Sequence, residues 1–295
     1  MNRLIQSEIR KIFTTNLWWG LLIPAGLLCF LLSLLGGTAG SMFGSALSTE
    51  VPDAELEGIS GLTSLFTSMT FTTGLVATGL FAGIFGALGM AGEFRHKTIT
   101  TTFLVSDSRG RVLAAKTIVY AGMGALYGVT SVLLGSLGAG IGSSFRDFPD
   151  LGVWLLISLV AVVVMALWAV LGLGLGALMT NQAGVVLTLV LVVLLGEGLI
   201  ATLFAELGVD NAANYLPGGA ASALLFGLAI SLSLNQIFAS VPEAGDVDQL
   251  NREVPEAAAF TDMATQWWIS GLVFVVWCAV FLLLGMLANS RRDVS

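Results

Sequence analysis

The chain has 295 residues, of which 11% are charged and 56% apolar, with 36 glycines and a formal net charge of −7. Soluble proteins carry roughly 25% charged residues, so this composition excludes an ordinary soluble domain and points to glycine-packed membrane helices. The acidity argues against a nucleic-acid partner.

Residues 1–16 form the first predicted element. In helical phase Leu4, Ile5, Ile9, Ile12 and Phe13 share one half of the wheel, and Arg3, Ser7, Arg10 and Lys11 the other. That pattern predicts an amphipathic helix lying at the membrane interface, with Trp18 and Trp19 marking the boundary. The apolar run that follows is too long for the core of a cleavable signal, so none is expected.

A helix needs ~20 apolar residues to cross a bilayer. Six runs qualify: 17–35, 65–91, 117–141, 151–179, 184–204 and 267–288. The expected fold class is therefore an all-α integral membrane protein, a single transmembrane domain over 1–295. A seventh stretch, 218–239, is apolar enough to be ambiguous. It follows Pro217-Gly218-Gly219 and holds Ser222, Ser231, Ser233, Asn235 and Gln236, so it is read as a re-entrant or outer-interface helical segment within an extracellular loop, 205–266.

Six spans place Arg3, Arg10, Lys11, Arg95, Lys97, Arg109, Arg111, Lys116, Arg291 and Arg292 on one side, and only Arg146 and Arg252 on the other. Cytoplasmic loops retain lysine and arginine, so both termini are expected in the cytoplasm. Acids such as Glu50, Asp53, Glu243 and Asp248 then fall outside. Cys29 and Cys278 lie in apolar runs and read as small apolar residues, not a disulfide pair.

Within the spans, the second carries a hydroxyl stripe that includes Thr67, Thr70 and Thr73. Such hydroxyls either bond to carbonyls one turn back or line a substrate path. Gly79, Gly83 and Gly86 recur on the same span and suit close helix contact. Glu197 is the one acid well inside an apolar run. A charge there is costly, which makes it a candidate for the substrate path. It would be protonated, or would meet water or a helix N-terminus.

The largest cytoplasmic feature is the loop 92–116, whose Phe94, Ile99 and Phe103 are set at helical spacing among charges. It suits a short surface helix with one face open to a soluble partner. No phosphate-binding Gly-rich loop ending in Lys-Ser/Thr occurs, so ATP hydrolysis by that motif is not expected of this chain. His96 is the only histidine and no cysteine is near it, so neither a metal site nor a catalytic residue is expected.

Three segments together resemble the type-2 permeases of ATP-binding-cassette exporters. Ser7-Glu8-Ile9-Arg10-Lys11 looks like the family's elbow helix. Gly92-Glu93-Phe94-Arg95-His96-Lys97-Thr98-Ile99, with Arg109-Gly110-Arg111 and Lys116 downstream, is similar to its cytoplasmic loop. Leu173-Gly174-Leu175-Gly176-Ala177-Leu178, then Asn181-Gln182, matches its turn between spans four and five. Lys97, Asp107 and Thr180 depart from the residues usual there. The resemblance implies a pair of permease subunits, identical or paralogous, each resting on a separate ATPase subunit that holds ATP and Mg. This chain would bind no cofactor itself. Glu93, Phe94, Arg95, His96, Lys97, Thr98, Ile99 and Phe103 would form the coupling helix, and Glu8, Arg10 and Lys11 belong to the elbow. An apolar or amphipathic cargo would leave through a bacterial plasma membrane. The other readings are a secondary transporter, or a peptide-sensing relay on the same fold.

Overall fold

The computed structural model describes residues 1–50, 56–95, 109–146, 148–208, 212–240, 252 and 258–291. A short α1 (Asn2–Thr14) precedes α2 (Leu17–Glu50), α3 (Leu56–Arg95), α4 (Arg109–Gly142) and α5 (Leu151–Met179). Then come α6 (Gln182–Leu191), a π-helical turn (Val192–Gly196), α7 (Glu197–Glu206), a 3-10 turn (Ala212–Tyr215), α8 (Pro217–Ser240) and α9 (Ala258–Arg291). No strand occurs among the described residues. Among the described residues seven helical stretches are long and apolar enough to cross a bilayer, with α6, the π turn and α7 acting as one of them. The protein is a multi-pass all-α membrane protein. Exposed leucines and isoleucines such as Leu133, Leu137 and Ile141 on α4, and Leu272, Leu283 and Leu287 on α9, give it the apolar outer surface that lipid requires.

Five of the six predicted spans lie inside a single helix, and 184–204 lies across α6, the π turn and α7; most of these stretches overrun the span. Helix α2 continues past residue 35 to Glu50, and α3 begins at Leu56 rather than 65. These Gly-, Ser- and Thr-rich extensions read as loop by composition. They are helical where α2 and α3 run antiparallel with small residues between them: Gly36 meets Thr70, and Gly44 meets Thr63.

The tightest seam joins α3 to α5, which run parallel. A Cβ on Gly172 would land on the carbonyl oxygen of Gly83, and one on Gly86 would land on that of Ala169. Only glycine permits backbones this close, and close backbones are how helices gain packing energy in lipid. Beyond the seam α5 ends at Thr180, which takes a left-handed φ of 56°. Asn181 then starts α6 by accepting the N–H groups of Ala183 and Gly184 at 3.1 and 3.3 Å. The α5–α6 turn is thereby fixed at the bundle end where α3 also finishes. Cys29 and Cys278 are both free and buried.

Helix α8 covers the ambiguous stretch 218–239 as one continuous helix. It lies antiparallel to α9: Leu224 faces Gly271, and Gly227 faces Met263 and Trp267. Just before it, the Tyr215 carbonyl accepts the Trp277 indole N–H at 2.9 Å. At its far end Ile237 packs on Gly61, near the start of α3.

Candidate functional site

Helix α1, the C-terminal end of α3 and the first turns of α4 meet through four charged side chains. Lys116 donates from Nζ to Glu8 Oε2 at 2.7 Å and to Glu93 Oε1 at 2.5 Å. Lys11 donates to Glu8 Oε1 at 2.8 Å and to Glu93 Oε1 at 3.1 Å. Glu8 and Lys11 face the same way because they are one helical turn apart. The side chains of Lys116 and Glu8 are only 1% and 3% exposed, whereas that of Lys11 is 43% exposed. Two cations balance two anions, so each buried charge is compensated.

Burial acts to raise the pKa of Glu8, but Lys116 and Lys11 outweigh it and hold the carboxyl below its ordinary range. Burial likewise acts to lower that of Lys11, and Glu8 and Glu93 reverse it. A depressed carboxyl contributes stability that is present above its ordinary value and lost as pH falls through the folded value. A raised amine contributes below its ordinary value and loses that contribution as pH climbs through the folded one. The attachment of α1 should thus hold at neutral pH and fail on acidification below the ordinary 4.5 of Glu8. Hydrogen exchange of the α1 amides, referenced to those of α5, should quicken there. Equal relative protection on both sides of that value would contradict the clamp.

The α5–α6 turn joins the same junction. Arg95 donates from Nη1 to Gln182 Oε1 at 2.9 Å, and Gly92 lies against the Gln182 amide. A cleft of about 440 Å³ runs between these elements, with Glu8, Lys11, Glu93, Tyr120 and Gln182 in its wall. Of the residues predicted for coupling, Glu93 points into the charge cluster, Arg95 reaches Gln182, and Phe94 packs on the core. His96, Lys97, Thr98, Ile99 and Phe103 lie outside the described residues. Arg10 is exposed.

A second constellation sits deeper. Glu197 Oε1 accepts the Gly218 N–H at 2.8 Å, and Oε2 accepts the Gly219 N–H at 2.7 Å. Of the partners open to this acid, the structure supplies a helix N-terminus, that of α8. The π turn Val192–Gly196 ends directly before Glu197. Such a turn holds an extra residue and re-aims the side chains that follow. Beside the carboxylate lies a cavity of about 600 Å³, walled by Val76, Phe81, Trp168, Val193 and Leu225 among other apolar groups.

The structure does not bring the predicted threonines to this cavity, whose α3 wall runs from Leu75 to Phe81. Thr67 is buried, Thr70 packs on Gly36, and Thr73 is exposed and donates to the Met69 carbonyl at 2.9 Å. Thr70 also bonds to carbonyls of its own helix, as do Thr72 and Thr78.

Sequence reading did not anticipate Lys116 as the centre of a buried cluster, nor the roles of Gln182, Gly218 and Gly219. Lys116 and Gln182 stand in the motifs that carry the family resemblance, and that was their only signal. The two glycines act through backbone N–H groups, which sequence does not display. No family model matches the chain, and no curated protein matches it as a relative.

Proposed function

We propose that the chain is the membrane-spanning permease subunit of an ATP-driven exporter of the type-2 ATP-binding-cassette kind. One observation carries this reading. The three segments on which the resemblance rests are far apart in sequence, yet they are joined side chain to side chain at one end of the bundle. Glu8 and Lys11 come from the first, Glu93, Arg95 and Lys116 from the second, and Gln182 from the third. Such a junction supplies the rigid lever that ATP-driven coupling requires. Glu93 would anchor the start of the coupling loop, leaving the residues after it to meet an ATPase subunit. That subunit would hold ATP and Mg and perform the hydrolysis. Two permease chains would pair, and apolar or amphipathic cargo would leave a bacterial plasma membrane.

Coupling is tested by Glu93→Ala. The variant should insert into the membrane as the wild type does, yet lose ATPase co-purification or transport. Normal complex formation together with normal transport would rule out the assignment of the loop.

Within this reading the chain crosses the bilayer six times, with both termini in the cytoplasm. The register of α8 supports that count. Its start is bonded to Glu197, 15 residues beyond Gln182, or roughly 22 Å along the helix at ~1.5 Å per residue. Its end packs on Gly61, 34 residues from Arg95, or roughly 51 Å along α3. A hydrocarbon core is ~30 Å thick. Helix α8 would therefore begin about three-quarters of the way across and finish beyond the outer face, as a re-entrant segment does. Asp248→Cys tests this. An impermeant thiol reagent should label it on intact cells, and Cys29 and Cys278 are buried enough, at 0% and 3% exposed, to stay silent. Labelling only after the cells are opened would place that loop in the cytoplasm and overturn the six-span arrangement.

A further inference from the structure

The cavity beside Glu197 combines features that select a ligand by charge. Its volume of about 600 Å³ lies in the range of drug-sized sites, roughly 300–1,000 Å³. Its walls are apolar, from Val76 and Phe81 on α3, Trp168 on α5, Val193 in the π turn and Leu225 on α8. Among the described residues Glu197 is the only ionisable side chain that lines it.

A helix N-terminus alone attracts anions, through a partial positive charge of about half a unit. Here the anion position at α8 is already filled by the Glu197 carboxylate, held at 2.8 and 2.7 Å by Gly218 and Gly219. Two backbone donors and a helix end suit the charged form of the acid, but half a unit of positive charge does not cancel a whole negative one. Burial disfavours a lone charge, so an ionised Glu197 calls for a cation on its cavity side. A carboxylate offers about four acceptor positions, and two donors leave room for a cation on the cavity side. The π turn just before Glu197 is a second, independent feature, since π turns inside α-helices are frequent at functional sites. It sets the carboxylate so that one side chain serves both the α8 N-terminus and the cavity.

We infer that this cavity binds a lipophilic monocation, with Glu197 as its counter-charge and the apolar walls as its solvent. As a cargo site the cavity rests on the export reading; as a binding site it does not. The test therefore needs no ATPase. Purified full-length chain in lipid nanodiscs is titrated with tetraphenylphosphonium and with triphenylphosphine oxide, a neutral compound of similar shape. The wild type should prefer the cation by about tenfold or more, as one unneutralised charge in a low-dielectric site would give. Glu197→Gln should abolish that preference and leave binding of the neutral compound within about twofold. Ala77→Phe, which fills the cavity from its α3 wall, should weaken both. A wild type without preference, or a preference that survives Glu197→Gln, would overturn the inference. Should Glu197→Gln yield no folded protein, Ala77→Phe decides: undiminished cation binding in that variant would place the cation elsewhere. Binding without ATP-driven transport would fail the export reading alone.

Discussion

Replacing Lys116 with methionine should destabilise the folded protein by about 3–5 kcal/mol, the usual cost of removing one partner from a buried ion pair. The reason is local. The Lys116 ammonium lies between Glu8 and Glu93, 2.7 and 2.5 Å from their oxygens, and its side chain is 1% exposed. Without it the buried Glu8 carboxylate faces that of Glu93 and keeps its bond to Lys11, whose side chain is 43% exposed. Methionine keeps the volume, so packing is not the cause of the loss. A second change identifies the cause: Glu8→Gln in the Lys116→Met background should recover part of the stability by removing one of the opposed charges, whereas Glu8→Gln alone should destabilise. Unfolding midpoints in lipid nanodiscs would measure all three. Additive effects of the two substitutions would mean that the side chains are not coupled.

The second large effect belongs to Glu197. Glu197→Lys would place an ammonium against the N–H groups of Gly218 and Gly219 and against the positive end of α8. The buried Gly218 N–H loses its acceptor at about 1–3 kcal/mol, the half-buried Gly219 N–H loses its own, and a repulsion is added. Glu197→Gln keeps one acceptor oxygen and turns its amide nitrogen toward the other donor, so one hydrogen bond is lost. Folded yield should therefore fall in the order wild type, glutamine, lysine, with the lysine variant recovered poorly. Equal yields of the glutamine and lysine variants would show that the carboxylate does not hold α8 in place.

How far the chain was readable differs from element to element. Span 151–179 was read to the residue as α5, because its apolar run is bounded by the Asp150 cap and by the Thr180-Asn181 turn. Spans 17–35 and 65–91 were read short, because apolarity marks only what lipid covers, while α2 and α3 continue on small residues packed against each other. Stretch 218–239 was read as a helical segment distinct from an ordinary crossing. The break at Pro217-Gly218-Gly219 was visible, but its capping by an acid 21 residues earlier was not. The charge cluster shows the same limit. Lys11 was placed on the amphipathic helix by periodicity, and Glu8 and Glu93 were singled out by the motifs of the family resemblance. Periodicity carries no information about a partner 108 residues away, which is the separation of Glu8 and Lys116. The wheel also assigned Ile9 and Phe13 to an apolar face of α1. They are exposed, at 40% and 52%, while Glu8 is buried at 3%. Helix α1 turns its charged residue to the protein and leaves an apolar edge for the bilayer.

ATP-driven export is tested most directly by what accompanies the chain. Affinity-tagged protein, extracted in mild detergent from the cells that make it, should bring with it an ATP-binding-cassette ATPase subunit, and the purified complex should hydrolyse ATP. Recovery of the intact, folded chain without any such subunit and without ATP hydrolysis would contradict the assignment.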